Sequence, residues 1–456
     1  MNKRMAVVLA AGKGTRMKSN QLKVLHKING ITMIEHTVRA VRKAGVDQVV
    51  TIIGTDGEEI QQVLTGQSEC AIQEKQLGTA HAVLQAKSIL EGQPGTTLVV
   101  NGDGPLLTGE TLERLYDFHE QSGASGTVLT AIASLPNDYG RIVRDEAGNV
   151  QKIVETKDCD EKEIQITEVN SGVFIFGNQK LFELLDQVDN NNAQGEYYLP
   201  DVIGLLQGRG EMVKAYVTEQ FDEIIGINDR QRLAEVTRIM NQRIMDQHMD
   251  NGVTFVLPES TYVEVDVEIG NDTVIEPGVQ LKGKTRIGSN CTIGAHSVIE
   301  DSQLGDEVVV RQSVIELSQI AQQATIGPFA HLRPETVLDE GVHIGNFVEV
   351  KKSELGAHTK AGHLTYIGDA TIGRNVNIGC GTVIANYDGK KKHHSTIGDE
   401  CFIGSGSVIV SPVQIGNHAV TAAGSTITED MPDESLGIGR VRQTTKSNFW
   451  QKFMQK

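Results

Sequence analysis

Aromatic side chains are scarce in this chain of 456 residues, where they make up 4% and include a single tryptophan. Glycine is abundant instead, with 48 residues. This pairing argues against large aromatic cores and favours a tightly wound backbone with many small corners, because glycine tolerates turns that other residues resist. The length exceeds that of an ordinary single domain and predicts two domains with separate cores.

Cysteine is sparse as well. The five residues are odd in number and widely spaced, and no two of them form a C-x-x-C pair. They are Cys70, Cys159, Cys291, Cys380 and Cys401. This pattern argues against a disulfide framework and against a zinc knuckle. We therefore expect reduced thiols and a cytoplasmic location.

Positive charge is too sparse for a nucleic-acid-binding surface, since the formal net charge is −17. Small polyanionic substrates stay open, because they need only a few local cations. Long apolar runs are also missing. The run 5–11 leads into a glycine turn, which predicts a buried first strand rather than a signal peptide. We expect a soluble protein with no membrane insertion and no nucleic-acid partner.

Short β-rich runs alternate with helical patterns over residues 1–228, the first predicted domain. The predicted strands are 6–9, 49–53, 97–100, 126–131 and 172–176. The predicted helices are 33–44, 80–90 and 111–121. Such alternation indicates an α/β domain with a largely parallel sheet, whose ligands bind beyond the carboxyl ends of the strands.

Residues 229–251 change character. Leu233, Val236, Met240 and Ile244 recur at helical spacing among arginine and glutamate residues. A polar start and a following glycine bound the segment, which predicts one long connecting helix. We expect its arginines to form a solvated face.

From Val263 onward an aliphatic or small residue recurs at every sixth position, with occasional five-residue steps. The positions include Ile269, Ile275, Leu281, Ile287, Ile293, Ile299, Ile320, Ile326, Leu332, Leu338, Ile344, Val350, Leu355, Ala361, Ile367, Ile372, Ile378, Ile384, Ile397, Ile403, Ile409, Ile415, Thr421 and Ile427. Helical spacings of three and four do not fit, and neither does the alternation of an antiparallel strand. The pattern predicts a parallel β-helix over residues 252–456, in which one side chain per hexad points into a narrow core.

Two segments interrupt or follow this period. Residues 386–394, after Ile384, are too polar to enter the core and predict an extruded loop. The tail beyond residue 434 is basic. Its cations are Arg440, Arg442, Lys446, Lys452 and Lys456. The tail is either a solvated terminus or a clamp on an anionic ligand.

A glycine-rich turn over residues 9–17 follows the first predicted strand. It lacks the spacing of a P-loop and the third glycine of a dinucleotide fingerprint. Gly12 and Gly14 still allow backbone N–H groups to approach a ligand, while Lys13, Arg16 and Lys23 supply positive charge. Such a turn suits a triphosphate. Taken alone, the residues fit a plain turn equally well.

The motif L-A-A-G-x-G-T-R-M, followed by Lys23, resembles the signature of the sugar-nucleotide pyrophosphorylases. The segment 73–81 resembles their base-recognition segment, and G-D-G-P-L at 102–106 resembles their metal motif. The resemblance implies that Asp103 and Asn228 bind Mg²⁺ through hard oxygen atoms. It also implies nucleotide and sugar binding by Leu9, Ala10, Ala11, Gly12, Gly14, Arg16, Lys23, Gln73, Gly78, Thr79, Gly140, Glu155, Asn170 and Asn228.

Together with the hexad repeats, nearly all of residues 3–445 resembles the bifunctional family that joins an N-acetylglucosamine-1-phosphate uridylyltransferase to a glucosamine-1-phosphate acetyltransferase. The resemblance implies a Rossmann-like nucleotidyltransferase domain, a connecting helix and a left-handed parallel β-helix with a tail. It further implies acetyl transfer from acetyl-CoA to glucosamine-1-phosphate, then uridylyl transfer from UTP to N-acetylglucosamine-1-phosphate. The product, UDP-N-acetylglucosamine, would feed peptidoglycan and other envelope polysaccharides. Members of this family are homotrimers with acetyl-transfer sites between subunits.

In the second domain the resemblance implies that His363 is the general base, since an imidazole with a pKa near 6.5 can accept a proton from the glucosamine nitrogen. It implies sugar-phosphate binding by Arg333, Lys351, Tyr366 and Asn377. It places Cys380, Asn386, Tyr387, Ser405, Ala423 and Arg440 at the acetyl-CoA site, with Cys380 as a packing residue rather than a nucleophile.

Three alternatives stay open at this point. His358 and His363, with His331 or His343, could bind zinc on a β-helix. The β-helix could be regulatory, which would leave a single pyrophosphorylase activity. The chain could also be a non-catalytic sensor of nucleotide sugars.

Overall fold

The computed structural model describes residues 3–454. The chain divides into two compact units between Met240 and Asn241 in sequence. The helix α8 (Arg230–Asp250) lies where the sequence predicts the connecting helix. The domain limits 1–228, 229–251 and 252–456 stay a prediction, and Lys456 of the basic tail lies outside the described residues.

From residue 3 onward, the amino-terminal unit contains eleven strands and, before α8, seven α-helices. The strands are β1 (Lys3–Leu9), β2 (Lys27–Ile28), β3 (Ile31–Thr32), β4 (Gln48–Ile53), β5 (Glu69–Ile72), β6 (Gly95–Asn101), β7 (Gly126–Ile132), β8 (Arg141–Arg144), β9 (Val150–Val154), β10 (Glu168–Gly177) and β11 (Val213–Thr218). The helices are α1 (Met33–Lys43), α2 (Glu58–Val63), α3 (Thr79–Leu84), α4 (Lys87–Leu90), α5 (Gly109–Ser122), α6 (Asn178–Leu185) and α7 (Asp201–Gly208).

The main sheet has the strand order β11-β7-β10-β6-β1-β4-β5, with β8 and β9 attached beside β10. Along this order the strands are parallel except β10, which runs antiparallel to both β6 and β7, and the attached β8 pairs antiparallel with both β10 and β9. Strand β1 alternates between the two faces: Ala6 and Val8 pack in one buried cluster, Met5 and Val7 in another. Helices cover both faces, which explains why β1 is apolar from Met5 to Leu9 instead of alternating with polar residues.

The predicted helix 80–90 is wrong in one respect, because the structure divides it into α3 and α4. At the break the N–H groups of Gln85 and Ala86 bond to carbonyls three residues back. This tighter winding interrupts the α-helical pattern. Helix α1 begins in a capping box between Thr32 and Glu35, a signal that is present in the sequence.

Up to residue 454, the carboxy-terminal unit is a stack of short parallel strands in two sheets, one of 11 and one of 17 strands. The strands of the first sheet are β12 (Thr254–Phe255), β15 (Val274–Ile275), β18 (Thr292–Ile293), β21 (Val309–Val310), β24 (Thr325–Ile326), β27 (His343–Asn346), β29 (Lys360–His363), β31 (Asn377–Ile378), β34 (Phe402–Ile403), β37 (Val420–Thr421) and β39 (Leu436–Gly437). A final helix, α9 (Phe449–Met454), is exposed.

The 17-stranded sheet supplies the other sides of each coil. Its strands are β13 (Tyr262–Val263), β14 (Glu268–Ile269), β16 (Gln280–Lys282), β17 (Arg286–Ile287), β19 (Val298–Glu300), β20 (Gln303–Leu304), β22 (Val314–Glu316), β23 (Gln319–Ile320), β25 (His331–Leu332), β26 (Thr336–Leu338), β28 (Glu349–Leu355), β30 (Tyr366–Ile372), β32 (Val383–Ala385), β33 (Ser395–Ile397), β35 (Val408–Val410), β36 (Gln414–Ile415) and β38 (Thr426–Ile427).

The hexad positions form the core of this unit. Every one named from the sequence is buried except Ile269, which is partly exposed near the first coil. Equivalent positions stack in register, as in the series Ile315, Leu332, Val350 and Ile367. Because the register repeats, residues 16 to 25 positions apart in sequence lie on adjacent coils. This arrangement determines which polar side chains meet on the surface.

Candidate active sites

The glycine-rich turn after β1 is held by the two strands beside it. The carbonyl of Leu9 accepts a 2.9 Å bond from the N–H of Gly102, and the N–H of Ala10 donates 2.8 Å to the carbonyl of Ile52. Gly14 has φ +57°, and a Cβ there would lie 2.5 Å from the Cβ of Lys23. The turn thus needs glycine where it passes Lys23.

Lys23, Asp103 and Asn228 converge beyond the carboxyl ends of the strands. The Lys23 ammonium forms an ion pair with the Asp103 carboxylate and lies 3.4 Å from Asn228 Oδ1. The N–H of Ile227 donates 3.0 Å to the carbonyl of Asp103, so the backbone itself joins the two segments. A carboxylate and an amide oxygen therefore already face one cation. Such a donor set fits Mg²⁺ as well as an ammonium group.

A cavity of about 240 Å³ adjoins this group. Its lining includes the predicted residues Leu9, Ala10, Ala11, Gly12, Lys23, Gln73, Gly78, Thr79 and Asp103. It also includes Gln76, Asn101 and Glu196, which are absent from the predicted set. Gln76 could have been found in the base-recognition segment, and Asn101 at the end of β6. No sequence signal indicates Glu196. Arg16 is exposed on the short turn that follows the loop.

The predicted base-recognition segment has a fixed backbone. Gly78 adopts φ +122°, and a Cβ there would lie 2.4 Å from the carbonyl oxygen of Tyr197. The Gln73 side chain is 3% exposed, and its Nε2 donates 3.3 Å to the carbonyl of Gly78 and lies 2.9 Å from His81 Nδ1. With Nε2 engaged, Gln73 Oε1 is left as an acceptor for a ligand N–H. The Thr79 hydroxyl accepts 2.9 Å from the N–H of Leu199.

Gly140, Glu155 and Asn170 form a separate polar group. The Asn170 N–H donates 2.8 Å to the Gly140 carbonyl, and a Cβ on Gly140 would lie 3.2 Å from Glu155 Oε1. Burial raises the pKa of Glu155, as do the nearby Asp158 and Asp201, while a hydrogen bond from Asn170 opposes the rise. A half-buried carboxyl beside an amide suits the hydroxyl and amide groups of a sugar.

In the carboxy-terminal unit the register places several predicted residues in one column. Asn346 is paired with His363, and the pairs Ile378–Ile403 and Ile403–Thr421 continue the same alignment. Cys380, Ser405 and Ala423 each stand two residues after Ile378, Ile403 and Thr421. They therefore fall in the same column as His363, which stands two residues after Ala361, the register partner of Ile378. Backbone hydrogen bonds join these levels, from Gly406 N–H to the Cys380 carbonyl (2.7 Å) and from Gly424 N–H to the Ser405 carbonyl (2.8 Å).

His363 is exposed at the corner of its coil, and its Nδ1 lies 3.0 Å from Asn346 Oδ1. Because an amide oxygen can only accept, Nδ1 carries the proton and Nε2 is left as the basic nitrogen. Asn346 was not predicted from the sequence. It occupies an ordinary outward position of the repeat, so only the register reveals it.

Lys351 and Tyr366 are on neighbouring strands of the 17-stranded sheet, and Arg333 directly follows β25 of the same sheet. Glu349 is the register partner of Tyr366, and its Oε1 forms a 2.7 Å ion pair with Arg333 Nη1. Lys351 is on the same strand as Glu349. The predicted Asn377 is on the other sheet, between Lys360 and Phe402 in register. A single chain therefore does not bring Asn377 onto the face that carries Tyr366.

Of the predicted acetyl-CoA residues, Asn386 adjoins this face. Asn386 is buried, and its Nδ2 donates to Asp369 Oδ2 and lies 3.4 Å from the Tyr366 hydroxyl oxygen. Tyr387 is 60% exposed on the extruded loop. Arg440 passes the Gly424 corner, where an added Cβ would lie 3.7 Å from Arg440 Cδ.

The zinc alternative finds no cluster to support it. His331 Nε2 lies 3.3 Å from a Glu316 carboxylate oxygen, and His343 Nδ1 lies 2.7 Å from the Thr325 hydroxyl. Within residues 3–454, no three side chains among histidine, cysteine, aspartate and glutamate stand close enough to hold a metal by themselves.

Comparisons with known proteins match both units. Residues 5–242 match the nucleotidyl transferase family, and residues 266–301 and 394–429 match the six-repeat bacterial transferase hexapeptide family. The chain is 53% identical over 449 residues to the bifunctional protein GlmU of Listeria monocytogenes serotype 4a (strain HCC23), covering 98% of both chains. It is 52% identical, with the same coverage, to the GlmU of Geobacillus sp. (strain WCH70). The chain belongs to the GlmU family.

Membership of the GlmU family confirms three predictions: the family itself, the fold class and the two-activity transferase function in UDP-N-acetylglucosamine synthesis. The α/β nucleotidyltransferase unit precedes a hexapeptide-repeat β-helix, as predicted. The GlmU of Lactobacillus delbrueckii subsp. bulgaricus (strain ATCC BAA-365 / Lb-18) is 52% identical and is matched over 97% of its length. Within residues 3–454, no helix is both long enough and apolar enough to cross a bilayer.

Proposed function

We propose that Lys23, Asp103 and Asn228 carry the uridylyl transfer and that His363, Arg333 and Lys351 carry the acetyl transfer. Glucosamine-1-phosphate is acetylated from acetyl-CoA, and the N-acetylglucosamine-1-phosphate formed then reacts with UTP. The observation that supports this division is that each set of polar side chains gathers within one compact unit. The other proposed substrate contacts are those predicted from the sequence.

In the uridylyl transfer an oxygen of the sugar phosphate attacks the α-phosphorus of UTP, and pyrophosphate leaves with the electrons of the broken P–O bond. Both reactants are anions, so the site has to screen charge and align the attacking oxygen. Lys23 is placed to contact phosphate oxygens, and Gln73 Oε1 to accept the uracil N–H. Gly140, Glu155 and Asn170 hold the acetylated sugar.

Mg²⁺ fits this site, because the Asp103 carboxylate and the Asn228 amide oxygen already face the Lys23 ammonium. If the ion were bound there together with phosphate oxygens, it would neutralise negative charge on the triphosphate. Lys23 would then exchange its partner Asp103 for a phosphate group.

In the acetyl transfer the glucosamine nitrogen attacks the thioester carbonyl of acetyl-CoA, and the CoA thiolate leaves. The amine must first lose a proton, which His363 Nε2 accepts. Asn346 is a positioning residue, since its amide oxygen holds the Nδ1–H tautomer. Arg333 and Lys351 bind the sugar phosphate, and Asn386 and Tyr387 line the acetyl-CoA site.

We further propose that the protein is a cytoplasmic homotrimer. Asn377 and Tyr366 stand on different sheets of one chain, which supports a sugar site completed by a second copy. The test is turnover by the purified full chain with glucosamine-1-phosphate, acetyl-CoA, UTP and Mg²⁺. We expect UDP-N-acetylglucosamine and pyrophosphate, with no product when acetyl-CoA is omitted. Product formed without acetyl-CoA, or none at all, would contradict the proposal.

A further inference from the structure

Arg141 begins β8 beside the polar group of the amino-terminal unit. Its backbone pairs with Val154 at the end of β9 and with Val169 near the start of β10. Both pairings are antiparallel, so the residue before Arg141 lies opposite the residue after each partner. These three flanking residues are the proposed sugar contacts Gly140, Glu155 and Asn170.

The Arg141 side chain is 1% exposed, and its guanidinium donates five hydrogen bonds. Nη1 donates 2.8 Å to Asn137 Oδ1 and also donates to the carbonyl of Tyr139. Nη2 donates 3.2 Å to the carbonyl of Asn137, and both Nη2 and Nε donate 3.4 Å to the carbonyl of Ile164. Since a guanidinium has five N–H groups, every donor is used.

All of these acceptors are neutral. Among residues 3–454, no carboxylate accepts a hydrogen bond from Arg141. Arg144, on the same strand, differs because its Nε and Nη2 donate 2.7 Å and 2.6 Å to the two carboxylate oxygens of Glu168. A buried charge is costly unless its hydrogen bonds are satisfied. Arg141 is therefore tied to particular backbone segments, whereas Arg144 is held by an ion pair.

The acceptors of Arg141 belong to two segments that lead into the sugar contacts. Asn137 and Tyr139 come directly before Gly140, and Ile164 is in the short helical turn that precedes β10. One guanidinium therefore joins the segment that enters β8 to the segment that enters β10. Bending either segment would leave a buried N–H group without an acceptor.

The peptide between Tyr139 and Gly140 is held from several sides. The Tyr139 carbonyl accepts 2.7 Å from the hydroxyl of Thr156, the residue after Glu155. The Gly140 carbonyl accepts 2.8 Å from the N–H of Asn170, and a Cβ on Gly140 would lie 3.2 Å from Glu155 Oε1. The spacing of the three sugar contacts thus depends on where this peptide lies.

We propose that Arg141 is a positioning residue for the sugar site of uridylyl transfer, where its hydrogen bonds hold Gly140 at the spacing from Glu155 and Asn170 that fits the acetylated sugar. This inference rests on the proposed function. Lysine is a poor substitute, because an ammonium group has three donors and lacks the planar fork that reaches both segments. Misplacement of a bound reactant lowers the rate of a reaction that depends on alignment.

The experiment compares Arg141→Lys with Arg144→Lys in the full chain. Arg144→Lys is the matched control, because it makes the same change on the same strand at a side chain that binds Glu168. We expect Arg141→Lys to raise KM for N-acetylglucosamine-1-phosphate by about tenfold or more in the pyrophosphate-release assay. KM for UTP and the rate of acetyl transfer should stay within about twofold, and Arg144→Lys should leave all three within about twofold.

Asn137→Ala tests the same contact while keeping the arginine. It removes Asn137 Oδ1, one of the five acceptors, and should raise KM for N-acetylglucosamine-1-phosphate by about three- to fivefold. Asp138→Ala is its control, since Asp138 is the exposed neighbour. Equal KM values in these two variants, together with equal values in the two lysine variants, would overturn the inference.

Calorimetry of UDP-N-acetylglucosamine binding in the presence of Mg²⁺ gives a readout without turnover. Arg141→Lys should weaken this binding by about tenfold and leave UTP binding within about twofold. An equal loss for both ligands would indicate a general defect of the fold and would contradict a role at the sugar site.

Glu155→Gln separates the two levels of the argument. If it raises KM for N-acetylglucosamine-1-phosphate while Arg141→Lys does not, only the inference about Arg141 fails. If neither variant raises that KM, the proposed sugar contacts fail as well.

Discussion

The two units of this chain place their functional residues by different physical means. In the amino-terminal unit, loops at the carboxyl ends of parallel strands meet, and Lys23, Asp103 and Asn228 come together from three distant parts of the sequence. In the carboxy-terminal unit, a repeated register stacks Asn346, His363 and the residues that follow them. The first site depends on particular loops, whereas the second depends on the regularity of the core beneath it.

The sharpest way to separate the two sites is Asp103→Asn. The substitution keeps the shape of the side chain but removes the charge that faces Lys23. We expect the uridylyl-transfer kcat/KM to fall by at least about a thousandfold, which corresponds to about 4 kcal/mol of lost transition-state stabilisation. Acetyl transfer should stay within about twofold, as measured by release of the CoA thiol. Loss of both activities would show that the sites are not separate.

The reciprocal change is His363→Ala. Removal of the proposed general base should lower acetyl transfer by about 100- to 1,000-fold, with pyrophosphate release unchanged. Asn346→Ala should have a smaller effect, because the imidazole remains and only the hydrogen bond that selects its tautomer is lost. A histidine variant with full acetyl-transfer activity would eliminate His363 as the base.

The dependence of the second site on its core can be tested with Ile299→Ala. Ile299 is fully buried among the hexad residues and lies outside both predicted sites. The cavity should cost about 2–5 kcal/mol, against about 0.5–1.5 kcal/mol for the matched Ile299→Val. On heating, acetyl transfer should be lost before uridylyl transfer. Simultaneous loss of the two activities would contradict independent cores.

The dependence of the first site on a loop can be tested with Gly78→Ala. The added Cβ would meet the Tyr197 backbone in a conformation that already disfavours L-residues, at a cost of about 1–3 kcal/mol. We expect a raised KM for UTP and unchanged acetyl transfer. Gly148→Ala is the control, since Gly148 also has positive φ but open space around it. Equal KM values for UTP in the two variants would show that the contact with Tyr197 is unimportant.

The smallest expected effect concerns Asp201, whose pKa burial raises from 3.8 to about 6, with Asp189 and Asp158 adding to the rise. The folded state then binds more protons than the unfolded state between about pH 4 and 6, so this carboxyl lowers stability as pH rises through that window. Asp201→Asn should raise Tm by about 1–4 °C at pH 7.5 and leave it unchanged at pH 4. A gain of equal size at both pH values would argue against a titration effect.

The same contrast explains what the sequence could predict. A period that recurs through some 160 residues indicates the β-helix and its buried positions, and only Ile269 departs from full burial. The polar neighbours Asn346, Glu349 and Asp369 were not predicted, because they occupy ordinary outward positions whose meaning depends on the adjacent coil. The register supplies that information only once the coils are stacked.

In the amino-terminal unit, strand positions followed from apolar runs, but the site did not follow from any period. Its residues were assigned by resemblance to a family, and Glu196 was missed because its loop carries no pattern. The break between α3 and α4 was also missed, since the residues across it favour a helix and only the tighter hydrogen bonding interrupts it.

The most direct test of two separate sites is complementation between full-length variants. Asp103→Asn and His363→Ala should each fail to convert glucosamine-1-phosphate, acetyl-CoA and UTP into UDP-N-acetylglucosamine. Mixed in one vessel, they should restore synthesis, because the acetylated sugar phosphate released by one variant is the substrate of the other. A mixture that remains inactive, while each variant keeps its single remaining activity, would contradict the account.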